Sequence, residues 1–412
     1  MSGLLTLSSY LGEDVSGSDK NYSETLLRLK NEGYDVYVGH DPLKASAADL
    51  VVYSGAVEEI DTELNAAKTK IERGAYLGKI SRNFKECVAV AGAHGKTTIS
   101  AMISHVLHKT KARFCCHFGG EFVEPIEKYN GTDIFVTEAC EYRNSFLSLF
   151  PDYAIIANVE YDHPDFFPSF DEMKHSFQRF ASQTQKVLVL GKNANVCAGG
   201  HTTTLKEERD FSIKILDDNE CAFALSLEND IQAFYLPNEI LRHNMTNAAY
   251  AAVILQKMGI AVETTAEALE SFKGVKRRME YLGKYKNADA YLDYAHHPTQ
   301  IAEVINCAKR KYKKVFTVFQ PHTYSRTKAF LSDFAKALDN SDAVNLLDVY
   351  AAREKYDETA SSRILFDKLS VREKYMDSDL KDFPYTATKD SAILFLGAGD
   401  IDDIARTLIK FG

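Results

Sequence analysis

The sequence lacks the features that mark membrane proteins, nucleic-acid-binding proteins and disulfide-stabilised proteins. No apolar run among its 412 residues is long enough to span a bilayer, and no basic region precedes the first apolar residues. The seven cysteines are scattered, odd in number and free of any C-x-x-C pair, which argues against a zinc ribbon or a disulfide framework. The net charge of −9 gives no reason to expect nucleic acid. We therefore expect a cytoplasmic protein with no membrane or nucleic-acid partner.

The length and composition predict an ordinary globular protein with more than one core. A chain of 412 residues suits two or three domains, and 45 % apolar with 26 % charged residues is typical of such proteins. The hydrophobic runs alternate with helical stretches, which favours an α/β fold with parallel sheets. We predict three domains: an N-terminal region (1–80), a central region (81–275) and a C-terminal region (276–412).

The N-terminal region predicts a Rossmann-like unit that does not open on a strand. Apolar residues predict a helix from Leu4 to Leu11, and Asp14–Asp19 is typical of a short strand ending in a polar turn. A helix at Ser23–Lys30 and a buried strand at Asp49–Val57 follow. Because α/β units normally begin with a strand, we expect the first strand of this unit to be missing.

A loop of small residues lies between an apolar run and an amphipathic helix in the central region. Cys87–Val90 is typical of a buried strand, and the apolar residues of 99–107 recur at helical spacing. The loop between them reads G-x-x-G-K-T-T, from Gly92 to Thr98. Such a loop cradles phosphate with backbone N–H groups, a lysine charge and a hydroxyl for a metal ion. A solvated turn is the alternative, but the strand and helix on either side favour a nucleotide triphosphate site.

Two further strand ends in the central region carry groups that bind hard cations. Glu138 ends one predicted strand and Glu141 follows it, while Asp162 and His163 follow the next strand. Taken singly, an acidic residue here could cap a helix and a histidine could be structural. Their shared position at the carboxyl ends of parallel strands favours a Mg2+ site formed by Thr97, Glu138 and His163. Further on, the pattern predicts an antiparallel ribbon (210–236) and a helix (244–258).

The C-terminal region predicts a doubly wound α/β domain with polar groups at its strand ends. The basic cluster Lys276–Arg278 opens it and could be a solvated turn or a hinge that faces the triphosphate. Asp293–Thr299 and Gln320–Thr327 follow predicted strands and are rich in His, Tyr and Arg. Because the two strand ends share one edge of a sheet, we expect a substrate site there.

Several of these segments resemble one enzyme family. Ala91–Thr98 resembles the ATP loop of the Mur ligases, the ATP-dependent amide-forming enzymes of peptidoglycan precursor synthesis. Other segments that resemble the family run in order from about residue 16 to 400: Thr137–Glu141, Asn158–Pro164, Arg242–Asn244 with Asn247, Gly274–Arg278, Asp293–Thr299, Phe319–His322, Leu347–Ala352 and Gly397–Asp400. The resemblance implies a ligase of cell-wall biogenesis that adds L-alanine to UDP-N-acetylmuramate, with ATP and Mg2+.

The resemblance also implies roles for individual residues. It gives the ATP site as Gly92, Ala93, His94, Gly95, Lys96, Thr97, Thr98, Asn244, Asn247, Arg278 and Asp293. It gives the metal ligands as Thr97, Glu138 and His163, and the substrate residues as Asp19, Ser54, Tyr294, His296, His297, His322 and Arg326. Lys96, Glu138, His163, Arg278 and His296 would carry the chemistry, with His296 a candidate for the group that takes the amine proton.

Two other functions remain open from the sequence. The first is the related recycling ligase, which attaches a preformed peptide to the same sugar. The second is a non-catalytic homologue that binds nucleotide but has lost UDP-sugar binding, since the family's first strand and Gly-rich turn are not found. The expected assembly is a monomer or a weak homodimer.

Overall fold

The computed structural model describes residues 1–55, 57, 60–217, 221–237, 242–352, 354–378, 380, 383 and 388–411. The side chains of Arg242, His243 and Phe411 are not described. Ala56, which completes the predicted Ser54–Ala56 turn, lies outside the described residues. In the part of the chain that the structure describes, the strands form two six-stranded sheets and three smaller ones.

The N-terminal region folds into two separate pairs of parallel strands with helices around them. Strand β1 pairs with β2, and β3 pairs with β4. The elements are α1 (Ser2–Tyr10), β1 (Ser16–Asp19), α2 (Glu24–Asn31), β2 (Asp35–Val38), α3 (Pro42–Ala47), β3 (Val51–Tyr53), α4 (Thr62–Ala66), β4 (Lys70–Glu72) and α5 (Arg73–Ser81). Ser23 caps α2 through its side chain, which accepts a hydrogen bond from the N–H of Leu26.

The central region contains an entirely parallel six-stranded sheet in the order β10-β9-β8-β5-β7-β6. A three-stranded antiparallel sheet, β11-β12-β13, follows it. The elements are β5 (Glu86–Ala91), α6 (Lys96–Lys109), β6 (Phe114–His117), β7 (Ile134–Glu138), a 3-10 helix (Tyr142–Ser148), β8 (Tyr153–Ile156), α7 (Phe170–Gln183), β9 (Val187–Leu190), β10 (Thr203–Lys206), β11 (Phe211–Asp217), β12 (Ala222–Leu227), β13 (Asp230–Tyr235), α8 (Arg242–Lys257) and α9 (Val262–Leu269).

The C-terminal region contains a mixed six-stranded sheet in the order β14-β15-β19-β16-β17-β18, in which only β14 runs antiparallel among the described strands. The elements are β14 (Glu280–Tyr285), β15 (Ala288–Asp293), α10 (Pro298–Lys311), β16 (Lys314–Phe319), α11 (Tyr324–Ala329), α12 (Leu331–Leu338), β17 (Ala343–Leu346), a 3-10 helix (Glu358–Ala360), α13 (Ser362–Lys368), β18 (Glu373–Tyr375), β19 (Ser391–Leu396) and α14 (Ile401–Phe411).

Each large sheet is buried on both faces, which explains its continuous apolar strands. In β5, Val88 and Val90 join one core, while Cys87, Ala89 and Ala91 join the core on the opposite face. The C-terminal sheet likewise separates two cores. The predicted α/β class with three regions is confirmed. Helices cover both faces of each large sheet, which is the arrangement that defines this class.

The structure shortens three predicted strands and adds others. The predicted strand at 49–57 is extended only at Val51–Tyr53, and a turn follows at Ser54–Gly55. The predicted strands at 152–159 and 342–350 end at Ile156 and Leu346, because the polar segments beyond leave the sheet to form the site. Strands β2, β4, β6, β10, β14 and β18 were not predicted. Among the described residues, no helix has both the length and the hydrophobicity needed to cross a lipid bilayer.

Candidate active site

The phosphate loop lies at the point where the strand order of the central sheet reverses. Strand β5 is flanked by β7 on one side and β8 on the other, so the loop after β5 opens between two crossovers. Open α/β sheets bind ligands at this switch point, outside the carboxyl ends of their strands. Helix α6 begins at Lys96 and directs its N-terminus into the loop.

Gly95 is required by the shape of the loop. Its φ of +85° lies in the left-handed region, and a Cβ atom built on it would lie 2.7 Å from Oδ1 of Asn247. Gly92 has a φ of +138°, where its added Cβ would meet the backbone of Asn158 at 3.2 Å. The buried amide of Asn247 therefore packs against the loop, and its Nδ2 donates to Oδ1 of the buried Asn244 at 2.9 Å.

We expect Gly95→Ala to weaken nucleotide binding at least about tenfold, because a side chain here adds backbone strain and a clash with Asn247. Titration calorimetry with ADP measures the change. Gly200→Ala is the matched control, since a Cβ at Gly200 meets no atom within 4 Å. An unchanged dissociation constant in Gly95→Ala would contradict this account of the loop.

Lys96 is held by a buried carboxylate beside the loop. Its Nζ donates to the carbonyl oxygen of Gly92 at 2.6 Å and lies 3.1 and 3.0 Å from the two carboxylate oxygens of Glu141. The side chain of Glu141 is 2 % exposed. Burial lowers the pKa of Lys96, but the neighbouring anionic groups, led by Glu141, together raise it above its ordinary value. Lys96 is therefore a fixed positive charge at the phosphate loop.

The predicted metal ligands occupy the edge of the sheet beside this ion pair. Glu138 ends β7, and its Oε1 is buried with no hydrogen-bond partner among the described residues. Thr97 is buried in the first turn of α6. His163 has its Nε2 3.7 Å from Glu141 and its ring 4.8 Å from that of Tyr142. The structure thus brings His163 to Glu141, and Glu138 offers an oxygen that a cation could use.

The basic cluster at the start of the C-terminal region reaches the phosphate loop. Nη2 of Arg278 lies 3.3 Å from Oγ1 of Thr97, to which it donates. The guanidinium groups of Arg277 and Arg278 lie 4.9 and 5.0 Å from the ring centre of Tyr294. The interpretation of the cluster as a solvated turn is therefore wrong for Arg278, which links the two regions at the site.

A buried ion pair joins the two regions beside His163. Asp162 and Arg326 are 3 % and 4 % exposed, and both Nε and Nη2 of Arg326 lie 2.9 Å from Oδ1 of Asp162. Burial raises the pKa of Asp162, but Arg326 and the nearby histidines outweigh this and hold the pKa well below its ordinary value. Nη1 of Arg326 also lies 3.2 Å from Nδ1 of His322, whose ring stacks on Tyr350.

The histidine pair after β15 lies at the same edge. Nδ1 of His296 lies 2.9 Å from the carbonyl oxygen of Tyr294, and burial followed by Arg326 lowers the pKa of His296 well below its ordinary value. His297 is 6 % exposed, and neither ring nitrogen has a hydrogen-bond partner among the described residues. Its ring lies 5.2 Å from that of His94.

Three other predicted residues have different surroundings. Asp293 is buried and accepts from the N–H groups of Met279 at 2.8 Å and Ala295 at 2.7 Å, and burial raises its pKa. Asp19 is exposed at the carboxyl end of β1, where it accepts from the N–H of Asn21. Ser54 lies in the turn after β3. The substrate-binding roles of Asp19 and Ser54 stay predictions.

Comparison with known proteins identifies the family. Residues 90–255 match the family model of the Mur ligase middle domain, and residues 277–399 match that of the Mur ligase, glutamate ligase domain. The UDP-N-acetylmuramate–L-alanine ligase of Clostridium botulinum strain Hall is 33 % identical, over 100 % of this chain and 95 % of its own length. The chain belongs to the Mur ligase family. The enzyme of that name from Caldanaerobacter subterraneus is 34 % identical, with the same coverage.

Solved structures agree with this assignment to the Mur ligases. A UDP-N-acetylmuramate–alanine ligase from Thermotoga maritima has a TM-score of 0.80 and 25 % identity, covering 100 % of this chain and 96 % of that one. A murein peptide ligase from Psychrobacter arcticus shares the fold, with a TM-score of 0.75 and 23 % identity. The predicted class of ATP-dependent amide-forming ligase is confirmed by this family membership.

Two residues and one contact at the site of this Mur ligase were not found from the sequence. Glu160 and Gln300, which both contact His94, were not singled out, and Glu141 was named but not paired with Lys96. Gln300 carried a usable signal, since it is the third residue of a helix that begins at Pro298, where Gln commonly forms a capping box. Glu160 carried only its place after a strand, within the Asn158–Pro164 segment that resembles the family.

Proposed function

We propose that the protein joins L-alanine to UDP-N-acetylmuramate in an ATP-dependent reaction that passes through an acyl phosphate. The names of its full-length relatives support this substrate pair. The observation that carries the proposal is the contact between the phosphate loop and the polar residues of the C-terminal region, where Arg278 donates to Thr97 of the phosphate loop at 3.3 Å. Phosphoryl transfer from a triphosphate to an acid requires the groups that bind the two reactants to lie side by side.

The residues of the chain supply the charge that the first step needs. A carboxylate is a poor electrophile, so transfer of the γ-phosphoryl group to its oxygen creates a leaving group. Two anions approach each other in this step, and preorganised positive charge lowers its barrier. We assign this role to Lys96 and Arg278. Because Lys96 is bound to Glu141 in this structure, an arriving phosphate would compete with Glu141 for it.

The residues at the edge of the central sheet fit a Mg2+ ion. Oε1 of Glu138 is a buried oxygen without a partner among the described residues, and a hydroxyl and an imidazole lie at the same edge. We propose Thr97, Glu138 and His163 as its holders. A bound Mg2+ would neutralise phosphate charge and orient the triphosphate.

His296 suits the acceptance of the proton that the amine releases in the second step. Its Nδ1 faces the carbonyl oxygen of Tyr294 and therefore carries a hydrogen, which leaves a lone pair on Nε2. Burial lowers the pKa of His296, which favours the neutral ring that carries this lone pair. We propose His296 as this group, with Tyr294, His297, His322 and Arg326 around the substrate.

The decisive experiment is an ADP-release assay with UDP-N-acetylmuramate and competing amine donors. We expect turnover with L-alanine and little with a preformed peptide. The reverse preference would indicate the recycling ligase. Nucleotide binding without ADP release and without UDP-sugar binding would indicate the non-catalytic homologue. Calorimetric titration of UDP-N-acetylmuramate measures the sugar-binding step separately.

A further inference from the structure

A chain of three hydrogen-bonded side chains joins the phosphate loop to the C-terminal region. Nε2 of Gln300, in the first turn of α10, lies 2.7 Å from Nδ1 of His94. Nε2 of His94 lies 3.0 Å from Oε2 of Glu160, which follows β8. None of the phosphoryl-transfer steps above uses this chain.

The direction of these hydrogen bonds is fixed by the backbone just before α10. Oε1 of Gln300 accepts from the N–H groups of His296 at 3.1 Å and His297 at 3.3 Å. The amide nitrogen of Gln300 must therefore face His94 and donate to its Nδ1. A neutral imidazole that accepts at Nδ1 carries its hydrogen on Nε2, so His94 donates to Glu160.

The main chain of His94 is held at the same time by the central region. Its N–H donates to Oδ1 of Asn158 at 2.9 Å, and Nδ2 of Asn158 donates to its carbonyl oxygen at 3.2 Å. The His94 side chain is 13 % exposed and that of Glu160 is 29 % exposed. The main chain of His94 is thus held by the segment that follows β8, and its ring is oriented by the first turn of α10.

A metal ion is the alternative for this cluster. His94, Glu160 and His297 offer ligand atoms that all lie within 4.8 Å of one another. The hydrogen bond from Gln300 argues against it, because it places a proton on the nitrogen of His94 that faces Glu160. The arrangement is that of a hydrogen-bonded connection between regions.

We propose that Gln300 is a positioning residue that sets the phosphate loop for nucleotide when the N-terminus of α10 is docked against it. The C-terminal region would in this way raise the affinity of the loop for ATP without touching ATP through Gln300. The inference rests on the proposed ATP site. It does not depend on which sugar or amine the enzyme uses.

Gln300→Glu tests the direction of the hydrogen bonds from Gln300 through His94 to Glu160 and keeps the cap of α10. One oxygen of the introduced carboxylate can still accept from the two backbone N–H groups, but the other faces the lone pair on Nδ1 of His94 and cannot donate. At pH 8 we expect the KM for ATP and the dissociation constant for ADP to rise about tenfold. We expect kcat at saturating ATP to change less than about threefold.

Ser169→Ala is the matched control for a purely structural effect. Ser169 caps α7, a 14-residue helix like α10, and its side chain accepts from the N–H of Glu172, away from the loop. The Ser169→Ala substitution should lower the melting temperature slightly and leave ADP binding unchanged. Equal ADP affinity of Gln300→Glu and wild type at pH 8, or a similar defect in Ser169→Ala, would overturn the proposal. Because ADP binding is measured without sugar or amine, an error in the proposed substrates would leave this test valid.

Discussion

Replacement of Lys96 by alanine should lower kcat/KM for ATP by about 10³-fold, since the variant loses the fixed charge at the phosphate loop. The same substitution should also reduce stability, because it leaves the buried carboxylate of Glu141 without its closest cation. From the sequence alone, in which Lys96 has no identified partner, Lys96→Ala is expected to cause little loss of folding. The ion pair with Glu141 reverses that expectation. Steady-state ADP release and the melting temperature measure the two effects.

The two effects of Lys96→Ala can be separated by a second substitution. Adding Glu141→Gln removes the unpaired carboxylate, so the melting temperature should rise again while activity stays lost. Lys186→Ala is the control, because Lys186 pairs with Glu86 at 2.7 Å at the opposite edge of the same sheet. Activity close to wild type in Lys96→Ala would rule out the assigned phosphate site.

Asp162→Asn should lower the free energy of unfolding by about 3–5 kcal/mol, the cost typical of breaking a buried ion pair. It leaves the guanidinium of Arg326 buried without a carboxylate, at the junction of the central and C-terminal regions. Calorimetric or urea-induced unfolding at pH 7 measures this change. Asp390→Asn is the control, since the Lys313–Asp390 pair is exposed and screened by solvent, so its loss should change the stability far less.

The contribution of Asp162 should also depend on pH. Its pKa is lower in the folded than in the unfolded protein, so the stabilisation is fully present above about pH 4, the ordinary range of aspartate. It is lost progressively as the pH falls below that range. The stability difference between wild type and Asp162→Asn should therefore shrink from pH 7 to pH 3. A difference that stays constant over this range would contradict the assignment.

The phosphate loop was predictable from sequence because its determinants are local. A buried strand, two glycines, Lys-Thr and an apolar helical face all lie within 86–107, and the structure has β5, the loop and α6 in this order. The polar strand ends were predictable for a related reason. Parallel strands buried on both faces leave only their ends for polar groups, and Glu138, Asp293 and Gln320 follow this rule.

The rest depended on contacts between distant parts of the chain. Lys96 and Glu141 are 45 residues apart, and His94 and Gln300 are 206 apart, so no local pattern pairs them. Short strands such as β2 (DVYV) and β18 (EKY) lack a long apolar run, and neighbouring strands rather than propensity decide their pairing. Which side chain a strand-end residue meets is likewise decided by tertiary packing.

The packing of the N-terminal region limits where the protein can be cut. Leu4 and Leu7 of α1, with Leu77 and Ile80 of α5, belong to the same core as Ala89 and Phe135 of the central sheet. A fragment that began at residue 81 would lose these apolar side chains and expose one face of its sheet to water. We therefore expect that the nucleotide-binding region cannot be expressed as an independent module with that border. In this ligase the N-terminal region thus supports the sheet that carries the proposed ATP site.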